Sequence, residues 1–132
     1  MPTVIRGSDN IDTNNVATQT ELDAKSPQMA TAWVNFDGAT VDGSNHCTIR
    51  DSYNVDYVLR VATGQYKVYF STAMDNASYV IAGLSYESGV FIVNSQNGVY
   101  TKTVSEFQLG NRGTTGTYTN VNMQVVIFGG KN

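Results

Sequence analysis

Gln65-Tyr66-Lys67-Val68-Tyr69-Phe70-Ser71 sets Tyr66, Val68 and Phe70 against Lys67, Tyr69 and Ser71. Successive side chains of a strand point to opposite faces, so this alternation predicts a half-buried β-strand. Thr63-Gly64 turns the chain into it from a second strand, Val55 to Ala62. Further upstream, Met29 to Phe36 reads as a strand with Trp33 as its core anchor, and His46 to Arg50 as another. Asp37-Gly38 and Asp42-Gly43 carry turn chemistry. Downstream, Tyr79 to Leu84 is apolar on both faces, which predicts a central strand, and Gly83 inside it marks a bulge or a close approach. Gly89 to Val93 leads to Asn97-Gly98, a pair suited to the positive φ angles of a type I′ hairpin, and Val99 to Val104 returns. Phe107 to Leu109 is a short strand, Asn111 to Gly116 a loop, and Val121 to Phe128 the last long strand. Roughly eight to ten short strands at intervals of about ten residues predict an all-β fold, the pattern of a sandwich or small barrel, and an antiparallel β-sandwich over residues 29–132 is the expectation.

Composition narrows the function classes. The chain has 132 residues, enough for one domain with a modest core. Charged residues make up only 14%, against a norm of about 25%. The eight Lys and Arg are scattered singly, so the clustered cations that phosphate binding needs are lacking and no nucleic acid is expected. Cys47 is the single cysteine, which excludes an internal disulfide and leaves a small, semi-buried hydrophobe as its expected role. No apolar run approaches the ~20 residues of a membrane span, so no membrane insertion is expected. The first residues lack a basic start and an apolar core, so no leader is expected and the reducing cytoplasm is the expected place of synthesis.

Residues 1–28 differ from the rest. Pro2 to Asn15 is polar, with Val4-Ile5 as its only adjacent β-branched pair, and cannot bury enough surface to fold alone. Thr18 and Glu21 have capping-box spacing, which predicts a short helix or turn. Pro27 stops any helix there and favours an extended chain into the first strand. The expectation is an extended N-terminal arm, an attachment segment.

No catalytic constellation emerges. His46 is the only histidine and Cys47 its neighbour on a predicted strand, so the two point to opposite faces and form no dyad. Asp37, Asp42, Asp51, Asp56 and Asp75 stand at turns and strand ends, where Asx turns account for them better than paired carboxylates do. Asp37, Asp42 and Asp51 lack the oxygen spacing of a calcium loop. No enzyme, cofactor or metal is expected. Binding is better served. Tyr86, Asn94, Gln96, Asn97, Tyr100, Asn111, Arg112 and Tyr118 fall near predicted strand ends and loops. Tyrosine stacks on sugar faces and amides read hydroxyls, so these are the candidate receptor-binding residues.

Three segments, in order, carry a family resemblance: Ala32-Trp-Val-Asn-Phe-Asp-Gly38, Ile49-Arg-Asp-Ser-Tyr-Asn-Val55, and Tyr66-Lys-Val-Tyr-Phe-Ser-Thr-Ala-Met74 continuing to Tyr79-Val80. Together with Ala17-Thr-Gln-Thr-Glu-Leu-Asp-Ala-Lys25 and the closing Val125-Val-Ile-Phe-Gly-Gly130 they resemble the C-terminal β-domain of tailed-bacteriophage fibre proteins. Asp37 stands where that pattern usually has Asn, and Asp75 where Pro is common. The resemblance implies a virion component assembled in the host cytoplasm. It further implies a homotrimer, bound to other virion proteins through residues 1–28 and to a host surface glycan through its distal loops. Apolar residues on both faces of Val125 to Phe128 agree with assembly. The alternative is a capsid decoration or head-fibre protein with a structural role.

Overall fold

The structure is a computed structural model and describes residues 18–21, 29–86, 90–92, 102–113 and 115–132. Among the described residues eight strands follow one another: β1 (Ala30–Val41), β2 (Cys47–Tyr53), β3 (Val55–Ala62), β4 (Gln65–Phe70), β5 (Val80–Ser85), β6 (Val90–Ile92), β7 (Glu106–Arg112) and β8 (Asn122–Phe128). They form two antiparallel sheets of four, in the orders β2-β1-β8-β5 (sheet A) and β3-β4-β7-β6 (sheet B). The chain is all-β, as the alternation predicts.

One interior serves both sheets. Ala32, Val34 and Phe36 of β1, with Met123, Val125 and Ile127 of β8, face Val58, Tyr66, Val68, Phe107 and Leu109 of sheet B. Phe36 meets Tyr66 edge-on at 5.1 Å between ring centroids, and Phe70, Tyr79 and Phe107 form a second ring cluster at 5.5–6.1 Å. Each such buried ring contributes about 1.5–3 kcal/mol by leaving water. Cys47 is buried in this core while His46 is only half-buried, as opposite faces of a strand require.

The first crossing between sheets, from β2 to β3, is a single residue. Asn54 joins β2 to β3 at φ 53°, left-handed backbone that asparagine tolerates. Its side chain donates to the carbonyls of Thr31 and Thr72 and accepts from the Thr72 N–H, pinning the corner. The other end of the sandwich is tied by Tyr66, whose hydroxyl accepts from Val121 N–H and donates to the Gly38 carbonyl, each at 3.3 Å.

Several expectations are corrected. Trp33 is not a core anchor: Ala32, Val34 and Phe36 take the inward positions of β1, so Trp33 points out of sheet A and is half-buried. Asp37-Gly38 is no turn, for β1 continues to Val41 through a register shift after Asp37. Gly38 is needed because a Cβ there would sit about 2.5 Å from Tyr66 Cζ and the Val121 oxygen. The strand Val80–Ser85 is an edge and not central; its outward Val80, Ala82 and Leu84 are exposed. Gly83 pairs with Val125 without a register shift, so it forms no bulge. Strand β7 runs on through Asn111 to Arg112, because Gly110 and Asn111 still pair with β4 and β6.

At residues 18–21, Thr18 Oγ1 accepts from the Glu21 N–H while Glu21 Oε2 accepts from the Thr18 N–H, the reciprocal capping box. The box opens one short helical turn at residues 19–21. The remainder of residues 1–28 and the Asn97-Gly98 hairpin lie outside the described residues.

Candidate functional site

Because β1 and β8 are central in sheet A, their outward side chains and those of β2 and β5 line up in rows across the outer face. The register gives Tyr53–Trp33–Val126–Ala82, then Asp51–Asn35–Gln124–Leu84, then Thr48–Asp37–Asn122. Beyond the first row lie Phe128 and Val80. The face thus grades from apolar at the end where β1 begins to polar at the other end.

A polar cup of about 230 Å³ occupies the far end, lined by Asn35, Arg50, Tyr86, Asn122 and Gln124. Strand alternation sets it up: Val34-Asn35-Phe36 and Val121-Asn122-Met123-Gln124-Val125 bury their apolar members and so turn the amides outward. Arg50 reaches the same place because a register shift in the β1–β2 ladder, between Asn35 and Phe36, adds a residue to β2. Its Nη2 donates to Asn122 Oδ1 at 3.0 Å and lies 3.5 Å from Asp37 Oδ2. Tyr86 follows β5, held by its N–H donating to the Asn122 carbonyl at 2.8 Å, and its ring is 69% exposed.

The cup's electrostatics suit recognition. Asp37 lies below the usual carboxylate range, chiefly because the Ala39 N–H donates to it, with Thr40 and the Arg50 charge adding. It is ionised at neutral pH and serves as anchor for Arg50, not as a proton donor. Three amides, one fixed guanidinium and one open aromatic ring provide donors and acceptors for hydroxyl groups and a stacking surface for a sugar. Among the described residues no cluster of His, Cys, Asp or Glu gathers to hold a metal ion. Asp42 and Asp51 accept from the N–H groups of Ser44 and His46, and of Ser52, as Asx residues do.

Comparison of the chain with known protein families, with curated proteins and with solved structures finds no match. Among the described residues no helix is long and apolar enough to cross a membrane.

The candidates from sequence scatter. Tyr86 belongs to the cup. Arg112 and Tyr118 do meet, the guanidinium 5.1 Å over the ring and the two backbones bridged. Asn111 has no surface to offer: it is fully buried in β7, where its amide donates to the Thr119 carbonyl at 3.3 Å. Asn94, Gln96, Asn97 and Tyr100 lie outside the described residues. Sequence reasoning missed Asn35, Arg50, Asn122 and Gln124. The signal was present, since polar residues alternate with buried apolar ones on both strands, but their meeting depends on the pairing of β1 with β8.

Proposed function

We propose that this chain is a fibre- or spike-type structural component of a tailed-bacteriophage virion that attaches the particle to its host. In this reading it is a homotrimer without enzymatic activity or cofactor. Residues 1–28 hold it to other virion proteins, and the cup meets an uncharged surface glycan. The observation that carries the reading is the polarity of the domain. Strand β1 begins, and β8 ends, at the Ala30–Phe128 pair, and the cup's Asn122 lies opposite Asp37 at the other end of the same strands. Seven residues at about 3.3 Å each separate the two by roughly 20–25 Å. A domain held on its N-terminal side therefore presents the cup away from its anchor. The resemblance in residues 29–130 supplies the virion context.

The test is binding of the protein, displayed in many copies, to a panel of bacterial surface polysaccharides. One site should bind weakly and multivalent display should add about 10²–10⁴ in avidity. Tyr86→Ala and Arg50→Ala, checked for an unchanged β spectrum, should each lower binding at least tenfold. Salt should matter little, since the ligand is uncharged. Binding that ignores both substitutions would refute the cup as the site. Antibody labelling of particles that lands on the head would replace the attachment role with a decoration role.

A further inference from the structure

The apolar half of sheet A's outer face is a second feature, distinct from the cup. Trp33, Val126, Ala82 and Leu84 line a shallow groove of about 610 Å³. Around it Val80 is 64% exposed, Leu84 71%, Tyr53 56% and Phe128 38%. Exposed apolar side chains gathered in one contiguous patch mark an interaction surface.

We infer that copies of this chain pack on one another through this face. Two observations favour a second copy over another occupant. A face that meets itself brings like onto like, so it tolerates no unbalanced charge. Here the rim cation Arg50 is already paired with Asp37, the border amides Asn35, Gln124 and Asn122 both donate and accept, and the exposed carboxylate of Asp51 stands on the edge strand β2, outside the groove. The rows Tyr53–Trp33–Val126–Ala82 and Phe128–Val80 contain no hydrogen-bonding side chain except the Tyr53 hydroxyl and the Trp33 indole N–H, and the amides of Asn35 and Gln124 meet the groove on its Leu84 side. A sugar lying there would leave its hydroxyls unpaired, whereas the outer face of another sheet packs on such rows at about 10 Å. Asn35 and Gln124 line both depressions, so the cup is left at the edge of the contact, beside the neighbouring copy. The inference rests on the proposed function only in that copies assemble; their number is left to the measurement.

The experiment uses the full chain in sedimentation and light scattering, with the emission of Trp33, the only tryptophan, as a reporter of the face. The assembled protein should have a multiple of the 14.3 kDa chain mass and blue-shifted emission. Leu84→Lys and Val80→Lys place a charge on side chains already exposed in the single domain, so the fold survives. They should weaken association by at least about 100-fold, the effect of an unpaired interfacial charge, and shift Trp33 emission to the red. Val61→Lys on β3, in the other sheet, should change neither. A dimer that Leu84→Lys dissociates would support the face and refute the trimer. An assembly indifferent to both lysines would overturn the face while leaving the trimer standing. A wild-type monomer at high micromolar concentration would overturn this inference and the trimer but not the attachment role, which glycan binding tests separately. Quenching of Trp33 in that monomer by a neutral oligosaccharide would reassign the face to a sugar.

Discussion

On the outside of sheet B, Tyr57 lies against Tyr69 with centroids 4.4 Å apart and planes 20° from parallel, and His46 lies against Tyr57 at 4.6 Å. Lys67 and Glu106 pair beside them at 3.5 Å. On the outside of sheet A, Trp33 stacks on no other ring among the described residues, and its neighbours across the strands are Tyr53 and Val126. Both faces carry aromatic residues in alternating strands over the same interior. They differ in whether the rings spend their faces on each other. A stacked ladder leaves mostly ring edges to solvent and is finished within one chain; an unstacked indole among aliphatic groups is not. Aromatic content alone therefore does not mark a binding face, whereas the partners each ring already has do.

The most severe way to break the comparison is to remove the interior that both faces share. Gly38→Ala forces a methyl group against the Tyr66 ring and a backbone carbonyl, at the point where β4 of sheet B ties to β1 of sheet A. It should cost about 3 kcal/mol or more, read as a lower urea midpoint with both faces lost in one transition. A midpoint like that of the wild type would show that the two sheets are not clamped there.

A matched pair of ring deletions sharpens the contrast. Tyr57→Ala removes two ring contacts, each worth about 0.5–1.5 kcal/mol, so the domain should lose about 2 kcal/mol. Trp33→Ala should cost the separated domain only about 1 kcal/mol, because the ring is half-buried, yet it should weaken association. A loss of about 3–5 kcal/mol at Trp33, as for a buried aromatic, would return it to the core.

The most gradual effect is spread over alkaline pH. Burial pushes the Cys47 thiol, inside sheet A, up to about 11 and the Tyr66 hydroxyl up to about 12. The Tyr69 hydroxyl on sheet B also rises to about 12, through burial first and then the Glu106 carboxylate. All three are held neutral by the fold, so the unfolded chain loses their protons first, from an ordinary value of 9.0 for the thiol and 10.0 for the phenols. The stability they contribute is complete below about pH 9 and falls as pH rises toward 12. The urea midpoint should be flat to pH 9 and decline above it, and Cys47→Ala should postpone the onset by about one pH unit. A decline that begins at the same pH in both proteins would remove Cys47 from the account.

The sequence already contained most of the strands, because period-two alternation is local: Val55–Ala62 was delimited to the residue, and Gln65–Phe70 nearly so. It misled where an apolar outward face imitates a central strand, as in Val80–Ser85. It misled again at Trp33, where residue size outweighed parity although Ala32, Val34 and Phe36 were in plain sight. The site was less legible. Tyr86 was found from its place at a strand end. Asn35, Arg50, Asn122 and Gln124 come from three strands, and only the pairing of β1 with β2 and β8, with its register shift, brings them together. Two of the segments that carry the phage-fibre resemblance have structural tasks here: Asn54 makes the corner between sheets and Gly38 admits the Tyr66 ring.

Strands β1 and β8, first and last of the eight, are neighbours at the centre of sheet A, and Thr31 Oγ1 donates to the Ile127 carbonyl 96 residues away. Pairing at that separation pays its loop-closure entropy before any contact rewards it, so folding belongs to the slow, millisecond-to-second range of non-local β topologies. During synthesis β1 waits with one of its two neighbours missing until Asn122–Phe128 has left the ribosome. A chain interrupted before that point exposes the Ala32-Val34-Phe36 row and an unpaired strand edge, so truncated products of this protein should aggregate rather than accumulate as smaller folded domains.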